Sequence, residues 1–94
     1  MRQQDFCVIA FVNTHAAIAT QKALGEAGFT THVMPTPREI TAGCGLSLRL
    51  PPEGYREVKR VVEGLDFPSD YCSFYRMTYD EQRRQVIPME ESLR

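Results

Sequence analysis

The residues able to do covalent or proton-transfer chemistry near neutral pH are few: Cys7, Cys44 and Cys72, with His15 and His32. One of them stands in a context that presents it. Cys44 lies between Gly43 and Gly45, just ahead of Leu46-Ser-Leu-Arg-Leu50, a run that alternates apolar and polar residues strictly. A structural cysteine normally sits inside a strand or helix, where it acts as a small hydrophobe. A cysteine between glycines has no side-chain cover from its neighbours and rests on backbone free to take unusual dihedrals. The expectation is an uncovered thiol on a turn. Its chemistry is nucleophilic, with the thiolate as the attacking species.

The groups that would serve such a sulfur are nearby in sequence or in the expected topology. Backbone amides from Gly43 to Leu46 can donate to a sulfur anion, as anion nests do. Arg38 is the positive side chain best placed to serve it, since it shares the loop, and that loop is stiffened by Pro35 and Pro37. Thr14 and His15 open a helix whose N-terminus carries a positive dipole end. His15 could orient or deprotonate Cys44, since cysteine–histidine pairs recur in thiol activation. The plainer readings stand beside these. Cys44 could simply fill a tight turn, and the His15 ring could lie in solvent. His32 reads as a sheet-face residue, Arg49 as structural, and Cys7 and Cys72 as inert buried thiols on neighbouring strands. Thr36 and Thr41 can bond loop backbone without a chemical part. Paired carboxylates, a Ser-His-Asp set, a phosphate-cradling glycine loop and metal-ligand spacing are all missing from the sequence.

The positioning elements follow from periodicity. Asp5–Val12 is apolar at every alternation, as a central strand covered on both faces would be. Asn13-Thr14 supplies a helix N-cap. Ala16–Ala27 is alanine-rich with Ile18 and Leu24 at helical spacing, and Gly28 suits the left-handed residue that closes a helix. Phe29–Met34 reads as a second strand and Leu46–Leu50 as a third. Pro51-Pro52 opens a second helix, with Tyr55, Val58, Val62 and Leu65 as its apolar stripe. Tyr71–Met77 is the fourth strand. The order βαββαβ is that of an α+β, ferredoxin-like two-layer sandwich with antiparallel sheet order 4-1-3-2. Residues 1–77 form this domain, and 78–94 are expected as a short helix or tail. The topology brings Asn13, Thr14 and His15 to the loop that bears Arg38 and Cys44, with the 64–70 connection at the same edge. A two-layer domain covers one sheet face with helices. The other face of the first strand then needs the C-terminal segment or a second copy, as in a homodimer.

Composition sets the remaining bounds. Ninety-four residues make one small domain. A net charge of -1 gives no footing for nucleic acid or an anionic membrane surface, and no apolar run approaches the ~20 residues needed to span a bilayer. Three cysteines, an odd number without ligand spacing, indicate neither a disulfide framework nor a metal. No cofactor is called for. The Met-Arg-Gln-Gln-Asp start lacks a signal-peptide cleavage pattern, so a cytoplasmic protein is expected.

Thr14-His15, Leu24–Gly28, Pro35-Thr-Pro-Arg-Glu-Ile40 and Cys44-Gly-Leu46 together resemble a small bacterial family of selenium/sulfur carrier-like proteins. The resemblance spans roughly residues 5–77, and the proline-to-cysteine block is its specific part. It implies a ferredoxin-like fold and a non-enzymatic carrier. That carrier holds sulfane sulfur or selenium as a persulfide-type adduct on Cys44. A cysteine desulfurase-type enzyme would be the donor, and another protein the acceptor. Cys44 is then the reactive residue, with Arg38, Gly43, Gly45, His15 and Thr14 as its binding surroundings. The alternative is a regulatory module that binds a small molecule or partner at the 35–45 loop, with Cys44 a structural turn residue. A thinner third reading is a redox sensor in which Cys44 pairs with another thiol.

Overall fold

The computed structural model describes residues 4–40, 43–79 and 83–89. Strand β1, Gln4–Phe11, is its axis. From Cys7 to Phe11 no residue is more than 1% exposed, as expected of a strand covered on both faces. Helix α1, Thr14–Glu26, starts two residues ahead of the expected Ala16. Its cap is Asn13, whose Oδ1 accepts the Ala16 N–H at 2.8 Å. At the other end Gly28 takes φ +94°. The Phe29 N–H bonds the Leu24 carbonyl and the Gly28 N–H that of Gly25, the paired bonds of a Schellman close. Ala16, Ala17, Thr20 and Leu24 form the buried face of α1. Ile18, expected on that face, is 59% exposed. The small residues bring the helix down on the sheet along a stripe to which position 18 does not belong.

Strand β2 is His32–Pro35, shorter than the expected Phe29–Met34, because Phe29 completes the α1 cap and packs on the core. Strand β3 is Leu46–Leu50, with Leu48 and Leu50 buried. A 3-10 turn at Pro52–Gly54 leads into α2, Tyr55–Glu63. Tyr55, Val58 and Val62 are buried as the stripe requires, while Leu65 falls beyond the helix end. Strand β4 is Cys72–Tyr79.

The fold is α+β, with two helices and one antiparallel sheet ordered β2-β3-β1-β4-β5 among the described residues. This differs from the expected four strands ordered 4-1-3-2, because Arg84–Pro88 forms β5 outside β4. A short helix or tail was expected there. Val86 and Ile87 are adjacent, a spacing that puts one on each sheet face, and Val86 lies opposite Met77. The expected tail residues 90–94 lie outside the described ones.

Each sheet face has its own core. Cys7, Ile9, Phe11, Leu48, Leu50, Cys72 and Phe74 pack beneath Leu24, Val58 and Val62. On the opposite face Val8, Ala10 and Met77 cluster with Ile40, flanked by Phe6, Met34, Tyr75, Tyr79 and Val86. The cover for Val8 and Ala10 therefore comes from Ile40, 6% exposed, and from the sheet's own large side chains. The C-terminal segment, expected to supply part of it, contributes Val86 from β5. The β2–β3 connection is fastened there. The Ile40 N–H bonds the Pro37 carbonyl at 3.0 Å, and Arg84 donates twice to Glu39, at 3.0 and 2.8 Å. Those bonds hold the Glu39 carboxyl below its ordinary range, so the clasp is made at neutral pH and released as pH falls through that lowered value.

Cys7 gives the fold a measurable alkaline limit. Burial pushes its thiol up to about 12, above the value of about 8.5 in an open chain. Between those values the folded state keeps a proton that the unfolded state has lost, so stability falls as pH rises. The expected contribution is about 1.4 kcal/mol per pH unit at most. Urea unfolding between neutral and alkaline pH checks this, because Cys7→Ala should flatten that part of the curve.

Candidate functional site

Cys44 is placed by backbone bonds at the point where β1 hands over to α1. Its N–H donates to the Phe11 carbonyl at 3.1 Å. Its carbonyl accepts the Thr36 hydroxyl, also at 3.1 Å. The Thr36 N–H bonds the Gly45 carbonyl at 3.0 Å. Thr36 Oγ1 lies 2.7 Å from Ser47 Oγ. A hydroxyl has one proton, and that of Thr36 is committed to Cys44, so Ser47 is the donor in this pair. The two hydroxyls satisfy buried Ser47 and tie β2 and β3 to the cysteine backbone.

The sulfur faces the first turn of α1. The Leu46 N–H points at Cys44 Sγ at 3.3 Å, and the Thr14 hydroxyl lies 3.6 Å from it. An amide and a hydroxyl are a donor pair suited to a sulfur anion or a persulfide. The residue is nevertheless 4% exposed and counts in the helix-side core, so the expectation of an uncovered thiol is corrected. The cause lies in the glycines. Neither takes a positive φ. A Cβ on Gly43 would drive into the carbonyl oxygen of Val12, while one on Gly45 would meet open space. Gly43 thus serves close approach to β1, and that approach turns the cysteine inward under Thr14.

Of the expected surroundings, Thr14, Gly43 and Gly45 are assembled around Cys44, and all three are exposed at the rim. His15 and Arg38 are exposed, and among the described residues neither makes a hydrogen bond or ion pair with Cys44. His15 sits one position round the helix from Thr14. Arg38 and Glu39 stand on the loop that crosses the other sheet face, where Glu39 pairs with Arg84. Just past the 64–70 connection, the Tyr71 carbonyl accepts the Val12 N–H at this edge.

Sequence reasoning gave Thr36 no more than a loop bond and Ser47 no role. The available signal was a small hydroxyl side chain on a strand otherwise built of leucine and arginine. Thr41 lies outside the described residues. Cys7 and Cys72 are buried free thiols, as read. Burial raises Cys72, against a smaller opposing pull from the Thr20 hydroxyl at 3.9 Å. Cys72 pairs with Phe11 on the β4 side of β1, whereas Cys44 bonds Phe11 from the β3 side. The two cysteines are thus about two strand spacings, ~10 Å, apart, beyond the reach of a disulfide. No group of three or more His, Cys, Asp or Glu able to hold a metal occurs among the described residues, and none of their helices is long and apolar enough to cross a membrane.

An α+β sheet with one donor-lined cysteine at the β1–α1 junction defines a class, and the sequence comparison names it. The chain belongs to the family described as "Putative Se/S carrier protein-like", whose profile matches residues 6–70. It is similar to an uncharacterized protein of Escherichia coli (strain K12), YtiA, being 40% identical over 62 residues, 66% of this chain and 72% of that protein. No solved structure matches it. The family match takes in every residue that sets Cys44 and ends ahead of β4.

Proposed function

We propose that this protein carries sulfane sulfur or selenium as a persulfide-type adduct on Cys44 and passes it between proteins, on a ferredoxin-like core extended by β5. The observation that supports this most is the pairing of the Leu46 N–H and the Thr14 hydroxyl on one sulfur, 3.3 and 3.6 Å away. It is joined by membership in a family described in carrier terms. In the forward step the Cys44 thiolate attacks the terminal sulfur of a persulfide on a cysteine desulfurase-type donor. The donor's sulfur–sulfur bond breaks, its cysteine leaves as thiolate, and the Cys44 persulfide forms with no net oxidation. Release repeats the exchange with an acceptor thiolate. The protein's part is to hold the adduct, and no catalysis is assigned to it.

Incubation with a cysteine desulfurase and L-cysteine, followed by peptide mass spectrometry, is the test. One added sulfur on the peptide containing Cys44 is expected, with none on Cys7 or Cys72 and none in Cys44→Ser. Thr14→Val removes a net contact of about 1 kcal/mol and should lower the adduct yield roughly fivefold. An adduct spread evenly over the three thiols, or no adduct, defeats the reading. The burial of Cys44, at 4% exposure, favours a second reading, a partner-binding module in which the cysteine is a turn residue. In that case Cys44→Ser keeps every binding property of the parent.

A further inference from the structure

At the end of the sheet opposite Cys44, where β1 begins and β3 runs out, lies a cavity of about 280 Å³. Phe6, Leu50, Pro51 and Pro52 give it apolar walls. Arg49, half-buried, lays its guanidinium over the Phe6 ring, 4.5 Å from the centroid. Among the described residues it makes no hydrogen bond or ion pair, so the donors of a rigid fork are held in place and unused. His32, its cross-strand neighbour, lines the same cavity. Two carboxylates, Asp5 and Glu53, complete the lining, and strand alternation puts the Asp5 side chain on the sheet face opposite Arg49. Asp5 gives one oxygen to Arg76 at 2.7 Å and keeps the other, Oδ1, enclosed without a partner.

The two charge signs constrain the ligand. A simple anion would be drawn to Arg49 and repelled by Glu53, and a simple cation would meet the reverse. A molecule carrying both charges close together satisfies both walls, and its remaining atoms can lie on Phe6 and the prolines. The volume falls just below the range of pockets for drug-sized ligands, which suits a molecule the size of an amino acid. We propose that this cavity binds a free α-amino acid with an apolar side chain, its carboxylate on Arg49 and its ammonium towards Glu53. Phe6 is five strand residues from Phe11, or about 17 Å, so this site stands apart from Cys44 and does not depend on the carrier reading.

Heteronuclear NMR titration of the full chain with L-leucine tests it, beside isocaproate, which lacks the amine, and isoamylamine, which lacks the carboxylate. L-leucine should give saturable shifts at Phe6, His32, Arg49 and Leu50. Each analogue loses a charge-assisted contact and should bind at least about tenfold more weakly. Arg49→Gln and Arg49→Lys should both weaken L-leucine by a similar factor while the spectrum stays that of the folded parent. Glu53→Gln, at an exposed position where folding is not at stake, should weaken L-leucine more than isocaproate. The absence of saturable shifts with L-leucine overturns the proposal, as does isocaproate binding equally well.

Discussion

Gly43→Ala should destabilise the protein by about 1–3 kcal/mol, the usual cost of forcing atoms into a packed site. Gly45→Ala, one residue past the cysteine, should stay within about 0.5 kcal/mol. The contrast rests on what each new methyl meets. At position 43 it is the Val12 carbonyl oxygen, part of the backbone where β1 ends, and at position 45 it is open space. Since the strand cannot retreat without breaking its bonds to β3 and β4, the loop must move. Doing so pulls the Cys44 N–H from Phe11 and the sulfur from Thr14. Gly43→Ala should therefore also lose most of the sulfur adduct, and Gly45→Ala keep it. Urea midpoints and adduct yield, measured on the same two preparations, check both halves. Equal behaviour of the two variants would mean that the close approach is not what sets the cysteine.

Ile40→Ala should cost about 2–3 kcal/mol, near the lower end for a buried isoleucine because a loop can partly collapse into the space. Ile40 is one large side chain spread over Val8, Ala10 and Met77, so its loss uncovers a sheet face as well as opening a hole. Ile40→Val should cost about 0.5–1.5 kcal/mol. Denaturation of the two variants gives the magnitudes, and light scattering reports whether Ile40→Ala self-associates through the bared face. An Ile40→Ala variant as stable as the parent would show that the aromatic flank suffices as cover.

Much of this fold is written locally. Six successive apolar residues, Phe6–Phe11, mark β1, Asn13 and Gly28 bracket α1 by their side-chain and backbone chemistry, and the leucine alternation sets β3. β5 has no such local mark. Val86 and Ile87 are strand-like only because β4 runs beside them and Met77 awaits Val86, which is tertiary information. Ile40 fails in the same way, for it sits in a proline- and glycine-rich loop whose local chemistry says surface. Chain order alone brought Thr14 to the cysteine, since a helix must start where β1 stops. The exposure of Cys44 was misread because glycine has two uses, conformational freedom and close approach, and only the packed structure distinguishes them. His15 and Arg38 were drawn in by charge and proximity in sequence, and both are exposed without a bond to Cys44 among the described residues.

Phe11, with Cys44 bonded to it from one side and Cys72 paired on the other, has a last effect. A persulfide within reach of another thiol of its own molecule would collapse to a disulfide and shed its cargo as sulfide or selenide. With β1 between the two sulfurs, that short circuit is closed. In the proposed adduct, the atom held on Cys44 would then be given up to a different molecule.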